Sequence, residues 1–482
     1  MLFNSFEFIF VFLPIVVIGY FILNKYWTTP GKVWLVIASF VFYGWWNPIY
    51  VLLLITSIIS NYTIGIYISK AVQKDKRKLF LSIGLIINIG ILGYFKYYDF
   101  FIENINFVFQ TDFNLLHIIL PLAISFYTFQ QIAYLVDMYR NEVKENSFLN
   151  YVLFISFFPQ LIAGPIVQHK EVMEQYLNMT KKSMNWENIS KGLFIFSIGL
   201  FKKVAIADTF AVWVNQGFSQ TDSLTFFDSW ITTLSYTFQL YFDFSGYTDM
   251  AIGIALLFNI YLPINFNSPY KARTIREFWQ RWHITLSKFL GKYIYIPLGG
   301  NRFSNRRTYL NLFLVFTISG LWHGAEWTFI TWGGSMHGIA LIINRAWYKA
   351  GFKMNAILAW FITFNFINIT RVFFRSPDFS TALSILGTMF GFRGFGMPQQ
   401  LLTKFNMNWL DNQIYTYQLT EDMWLTILYL LAAFIVTIFL KNSVEITRSL
   451  KPNPLYSLYA AILFIYSTLH LYQVTEFIYF NF

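Results

Sequence analysis

A chain of 482 residues that is 56% hydrophobic, 21% aromatic and only 12% charged lies far from the soluble norm of about 25% charged residues. It reads as an integral membrane protein of one domain, 1–482, because no long polar block divides it. The absence of cysteine excludes disulfides, thiolate catalysis and cysteine metal sites. The net charge of +11 comes from basic residues in short loops between apolar spans, which is the positive-inside pattern and not a nucleic-acid-binding face.

The chain opens Met1-Leu2-Phe3-Asn4-Ser5-Phe6-Glu7 and then runs apolar. It has neither the basic n-region nor the small-residue cleavage site of a removable signal, so this stretch is expected to be the first span. Taken in order, the expected spans are 6–24, 32–47, 49–69, 79–96, 115–136, 189–206, 229–259, 309–331, 333–348, 356–374, 424–440 and 455–475. Each is near the ~20 residues that a bilayer requires, which gives about twelve crossings. Lys25, Lys32, Lys70, Lys74, Lys76, Arg77 and Lys78 mark alternate loops as cytoplasmic, and Lys441, Arg448 and Lys451 do the same late in the chain. The neutral or acidic segments 99–112, 208–228 and 411–422 then fall outside, and so do both termini.

Two stretches do not suit simple crossings. Residues 150–168 are apolar but broken by Pro159, Gly164 and Pro165, and a re-entrant segment is expected there. Such backbone is tolerated at membrane depth only where protein or a water-filled cavity covers it. The second stretch, 268–308, carries Lys271, Arg273, Arg276, Arg281, Lys288, Lys292, Arg302, Arg306 and Arg307 against Glu277 alone. From Arg276 to Ile296, Phe278, Trp279, Trp282, Leu286, Phe289, Leu290 and Tyr293 recur at helical spacing, which predicts an amphipathic helix at the interface. Its cations suit anionic headgroups. They equally suit the mouth of a site for a phosphate-bearing cytoplasmic donor such as a coenzyme A thioester.

Three of the six histidines lie within 276–337, and this window is the expected catalytic core. An ionisable group inside an apolar span is costly and normally faces a cavity, a partner or a substrate path. His323 falls about fourteen residues into a span beginning near Tyr309, about 20 Å along it. Gly320, Gly324 and Ala325 beside it permit close helix approach, and Trp322 and Trp327 would wall a cavity. Acyl transfer to a hydroxyl needs a base near the operating pH, which histidine supplies, and a second polar group to orient that base or hold the oxyanion. His323 and His283 are therefore the candidate catalytic pair. Arg276, Arg281, Trp282, Lys292 and Trp322 are the candidate donor-binding residues. His337 would stand ~21 Å from His323 on a continuous helix. Gly333-Gly334 is expected to break that span and return the chain, leaving His337 in a support role. His117, His169 and His470 receive none. Asp243 and Asp249 are expected to form a structural bend with a polar network through Ser245-Gly246-Tyr247. No Gly-rich phosphate loop, zinc spacing or His-Glu-Xaa-Xaa-His motif is present, and no metal is expected.

The motifs Phe42-Tyr43-Gly44-Trp45, Ser125-Phe126-Tyr127-Thr128-Phe129-Gln130 with Asp137, Phe158-Pro159-Gln160-Leu161-Ile162-Ala163-Gly164-Pro165, Gln239-Leu240-Tyr241-Phe242-Asp243-Phe244-Ser245-Gly246-Tyr247-Thr248-Asp249, Glu277-Phe278-Trp279-Gln280-Arg281-Trp282-His283, Tyr295-Ile296-Pro297-Leu298-Gly299-Gly300-Asn301-Arg302 and Leu321-Trp322-His323-Gly324-Ala325 occur in that order. Together they resemble the bacterial branch of the membrane-bound O-acyltransferase (MBOAT) family, which modifies alginate and peptidoglycan. The resemblance covers nearly the whole chain. It implies an all-α polytopic fold, a ring of about 11–13 tilted transmembrane helices with re-entrant segments around a central funnel. It also implies acetyl-CoA as cytoplasmic donor and no bound cofactor, with the invariant histidine at His323 and the second family position at His283. The function then expected is O-acetylation of a cell-envelope polysaccharide from the bacterial inner membrane; the many Ile, Phe, Asn, Lys and Tyr residues, as from an AT-rich genome, favour peptidoglycan over alginate or another exopolysaccharide. A separate extracytoplasmic partner of the serine-esterase type would complete the transfer, and no such Ser/His/Asp domain occurs in this chain. Two rivals from other classes are a transporter that uses the buried histidines as a proton relay and a non-catalytic scaffold.

Overall fold

The computed structural model describes residues 1–143, 147–177, 183–395, 423–451, 453–473 and 477–478. Regular structure among the described residues is helical throughout. A π-helical lead-in, Glu7–Phe12, continues into α1 (Leu13–Asn24), followed by α2 (Thr28–Gly44), α3 (Pro48–Lys70) and α4 (Lys74–Leu92). A π-helical turn, Gly93–Tyr97, joins α4 to α5 (Tyr98–Phe109), and α6 (Ile124–Tyr139) follows. Next come α7 (Phe148–Ser156), α8 (Phe158–Leu161), α9 (His169–Leu177), α10 (Trp186–Phe201), α11 (Asp208–Ser219) and α12 (Phe226–Leu257). The central segment holds α13 (Ile275–Arg281), α14 (Ile284–Leu290), α15 (Asn305–His323), α16 (Trp327–Ile330) and α17 (Ile339–Lys349). The chain continues through α18 (Ala356–Arg375), α19 (Phe379–Met389), α20 (Met423–Phe439), α21 (Ser443–Arg448) and α22 (Pro454–Leu469).

Among the described residues, four helices are long and apolar enough to cross a membrane: Glu7–Asn24, Pro48–Lys70, Lys74–Phe109 and Ala356–Arg375. They keep large apolar side chains on their outer faces, among them Ile49, Leu52, Ile86 and Ile357. Exposed aliphatics in such number would be a liability in water and are the expected lipid face in a bilayer. The expected outer segment at 411–422 lies outside the described residues.

The long helix α12 is the spine. Its 32 residues extend ~48 Å, and nearly every side chain from Asp228 to Leu257 is buried. Threonine at position 225 starts it through a capping box with Asp228. Helix α10 packs antiparallel on it at two glycine pairs, Gly192 with Gly253 and Gly199 with Gly246. A Cβ at Gly192 would lie 2.7 Å from the Gly253 carbonyl oxygen, and one at Gly199 would lie 2.6 Å from that of Gly246. Backbones can approach this closely only where both helices lack side chains.

The structure departs from the expected spans in several places. Helix α12 is unbroken through Ser245-Gly246-Tyr247, and the charged partners of its aspartates come from elsewhere. Lys203 holds Asp243 and Asp208, both at 2.8 Å, while Lys202 holds Asp249 at 2.7 Å. The backbone N–H of Ile478 also donates to Asp243 at 3.0 Å. The span expected at 115–136 starts late, at Ile124. Residues 111–121 are not helical, because side chains from other helices take up their backbone groups. Asp99 accepts from Leu116 N–H, and the Tyr50 and Tyr43 hydroxyls donate to the carbonyls of Ile119 and Leu122. The interfacial helix expected over 276–296 is interrupted at Trp282-His283 between α13 and α14. Gly333-Gly334 does not break its span: both residues lie in a continuous π-helical stretch, Thr331–Gly338, and the chain reverses earlier, at Gly324 to Glu326. The broken stretch at 150–168 is as expected, with residues 150–167 buried by protein.

Candidate active site

Helix α15 carries His323 as its last residue. Ser304 caps the start by accepting from Arg307 N–H, and Gly324, in extended backbone (φ −159°, ψ 149°), stops it. The 19 residues span about 28 Å, so His323 stands at the far end from the basic residues Arg306 and Arg307. Helix α16 and the π-helical stretch then run back along α15. A Cβ at Gly320 would lie 2.2 Å from the Phe329 carbonyl oxygen, and one at Gly333 would lie 2.4 Å from that of Phe316. The glycines therefore serve close approach, which brings Trp332 against His323. The His323 ring is 1% exposed. Its centroid lies 4.8 Å from Trp322, 5.2 Å from both Trp332 and Phe374, and 6.4 Å from His283.

The last carbonyls of a helix have no partner within it. Here a neighbouring helix supplies one for each. Lys96, in the π-helical turn between α4 and α5, donates to the Trp322 carbonyl at 2.5 Å and the His323 carbonyl at 3.4 Å. The Tyr97 hydroxyl donates to the Leu321 carbonyl at 2.8 Å. A cation at a helix C-terminus also complements the helix dipole.

His283 sits at the elbow between α13 and α14 in left-handed backbone (φ 44°, ψ 53°) and is fully buried. A non-glycine residue in this region is uncommon, and the strain persists only where the surroundings fix it. The loop after α12 does the fixing. Ile284 N–H donates to the Asn265 carbonyl at 3.0 Å, Thr285 Oγ1 to Asn265 Oδ1 at 2.7 Å, and Asn267 N–H to the Arg281 carbonyl at 2.9 Å. Ile166, from the broken stretch, donates to Thr285 Oγ1 at 2.9 Å. Phe244 of α12 meets the His283 ring edge-on at 4.9 Å. From the elbow, α14 and the π-helical segment Gly291–Tyr295 lead to a turn whose carbonyls, Leu298 and Gly300, accept from Asn311 of α15.

The structure brings together His283, His323, Trp282 and Trp322, but not the candidate cations. Arg281 pairs with Glu277 at 3.0 Å and donates to the Asn267 carbonyl. Lys292 is held by Asp137 at 3.0 Å and Glu142 at 2.7 Å, two carboxylates from outside its own segment. Arg276 is exposed. His337 belongs to a hydrogen-bond chain: Trp279 Nε1 donates to its Nδ1 at 3.2 Å, and its Nε2 lies 3.2 Å from Thr370 Oγ1. Because the Thr370 hydroxyl donates onward to the Ile367 carbonyl, the network assigns His337 as the Nε2–H tautomer with both nitrogens satisfied.

Two cavities lie among the neighbours of the pair. The larger, about 540 Å³, is lined by Lys96, Asp99, Gln239, Gly324, Glu326 and Phe374, among others. The smaller, about 10 Å³, lies among Trp282, Trp332, His337, Arg371 and Phe374. Neither His283 nor His323 lines either cavity; Phe374 borders both and meets the His323 ring at 5.2 Å. Among the described residues, no group of three or more His, Cys, Asp or Glu is placed to hold a metal ion.

Sequence reasoning missed Lys96, Arg371 and Asn265. The first two were open to the test applied to the histidines, since each is a charged residue within an apolar run. Nothing local marks Asn265, whose part depends on where the elbow lands.

Fold and site together define a membrane-embedded helical enzyme with a buried histidine pair. The sequence model of MBOAT, the membrane-bound O-acyltransferase family, matches residues 136–376, and the chain belongs to that family; it is an acyltransferase. It is 47% identical to the peptidoglycan O-acetyltransferase of Helicobacter pylori over 100% of this chain and 98% of that one. It is 40% identical to the probable alginate O-acetylase AlgI of Pseudomonas aeruginosa, covering 81% of this chain and 75% of that one. The corresponding protein of Azotobacter vinelandii is 38% identical over 81% of this chain and 78% of its own.

Proposed function

We propose that this chain is an O-acetyltransferase of the bacterial inner membrane that moves acetyl groups from cytoplasmic acetyl-CoA toward peptidoglycan. The observation that carries this reading is the buried pair, His283 and His323, with ring centroids 6.4 Å apart. The full-length likeness to a peptidoglycan O-acetyltransferase supports peptidoglycan as the final acceptor, ahead of alginate. Basic loops on alternate connections support a cytoplasmic start of α15 and outer termini; in that orientation the larger cavity, at the far end of α15, faces outward.

In the transfer, His323 takes the proton of an acceptor hydroxyl as its oxygen attacks the thioester carbonyl. The C–O bond forms, the C–S bond breaks, and coenzyme A leaves as a thiolate that recovers the proton from His323. His283 orients His323 or donates to the oxyanion. An extracytoplasmic serine-esterase-type partner then places the acetyl group on the glycan. The test is release of free coenzyme A by purified protein in lipid nanodiscs. Wild type should turn over, and His323→Ala should lose about 10²–10⁴-fold. His283→Ala should lose about 10²–10³-fold, the scale of one oxyanion donor. A folded His323→Ala variant with wild-type turnover would falsify the assignment.

A further inference from the structure

Arg371 is a buried ion that the mechanism above leaves unused. It lies within α18, one of the four membrane-length apolar helices, and is 4% exposed. Its guanidinium lies 4.5 Å from the Trp282 ring centroid and 5.3 Å from that of Tyr270. Nη1 donates to the Thr237 carbonyl at 3.0 Å and to the Tyr270 hydroxyl, which itself donates to Thr237 at 2.5 Å. Among the described residues no carboxylate lies within ion-pair distance of Arg371, and Nε and Nη2 have no protein acceptor. A guanidinium carries five N–H donors in a fixed fork, so part of the fork remains for something else. An ion inside a membrane-length apolar helix is costly, and such groups mark substrate paths.

The small cavity beside Arg371 shows what that something can be. At about 10 Å³ it has room for roughly one water-sized group. A phosphate cannot enter, whereas a single carbonyl oxygen can, with the chain that carries it outside the space. Trp282, Trp332 and Phe374 wall the space, and the last two also touch His323. A group held here is therefore one ring away from the reacting centre.

We propose that Arg371 is a donor-binding residue whose guanidinium holds a carbonyl oxygen of the thioester donor's arm in the narrow cavity between Trp282 and Phe374. This rests on the thioester-donor reading given above. It assigns recognition at depth to the pantetheine part of the donor, apart from any contact that its phosphates make at the basic face.

The test compares acetyl-CoA with S-acetylpantetheine, which lacks the nucleotide and phosphates, on wild type, Arg371→Met and Arg371→Lys in nanodiscs. Arg371→Met should raise KM for both thioesters by about tenfold to a hundredfold, the scale of a hydrogen bond to a charged group. Arg371→Lys, which keeps the charge but loses the fork, should raise it by a smaller factor with an unchanged melting temperature. If Arg371→Met does not fold, Arg371→Lys alone decides. Unchanged KM for S-acetylpantetheine in the folded variants overturns the inference while the acyltransferase reading stands. No turnover of acetyl-CoA by wild type overturns both.

Discussion

Replacing Lys96 by methionine separates the placement of His323 from the stability of the protein. The side chain keeps its length and loses its charge and its donors. A hydrogen bond to a charged group is worth about 1.5–3 kcal/mol. The 2.5 Å contact to the Trp322 carbonyl is the strong one here, the 3.4 Å contact to His323 adding little. Removing the ammonium frees the last turn of α15 by roughly 2 kcal/mol, a factor of about 30 in the population of the observed arrangement. A displacement of about 1 Å at a reacting group costs on the order of 10²-fold in rate. Together these predict a 10- to 100-fold fall in kcat. Lys96 lines the larger cavity and not the narrow one, so KM for acetyl-CoA should stay within about twofold. Methionine also removes a cation from an apolar span, so the melting temperature should hold or rise. Tyr97→Phe, which loses one neutral hydrogen bond to Leu321, should cost only about 0.5–1.5 kcal/mol, a 2- to 12-fold loss. The assay is steady-state coenzyme A release in nanodiscs alongside thermal unfolding followed by tryptophan fluorescence. If Lys96→Met keeps wild-type kcat, the clamp on α15 has no part in placing His323.

Two further outcomes follow from packing and charge. Lys203→Met leaves Asp208 and Asp243 buried without their shared cation, a loss of about 3–5 kcal/mol. Asp208→Asn keeps the Lys203–Asp243 pair and should cost less, so thermal unfolding that ranks the two equally contradicts the network. Gly333→Ala puts a methyl 2.4 Å from the Phe316 carbonyl oxygen. The overpacking should cost about 1–3 kcal/mol and push Trp332 off His323, which lowers both melting temperature and kcat; a variant equal to wild type in both would show that the close approach is not needed.

Much of the site was legible in the chain because lipid makes buried polarity conspicuous. His283 and His323 stood out as ionisable groups in apolar, tryptophan-rich surroundings, and ring centroids 6.4 Å apart put them in one place. The break at 150–168 was equally legible, since proline and glycine leave no continuous ladder. The same reasoning went astray where composition is ambiguous. Gly333-Gly334 could be a hinge or a contact, and only the facing carbonyl of Phe316 shows that it is a contact. The helical spacing from Arg276 to Ile296 continues through His283, and only the bonds from Asn265 and Asn267 turn the backbone there. Asp243 and Asp249 found Lys203 and Lys202 instead of their near neighbours, and Lys292 found Asp137 and Glu142.

Sequence by itself determined the solvent of this protein, the rough positions of its helices and the residues too polar to be in lipid without cause. Those are properties of single segments, set by hydropathy, periodicity and charge. Tertiary structure alone decided which of those polar residues meet. Whether Lys96 caps the helix of His323, whether Arg371 stacks on Trp282, and whether a glycine bends a helix or lets another approach each depend on two segments far apart in the chain. No local pattern encodes that pairing, because the free energy that selects it belongs to the packed whole.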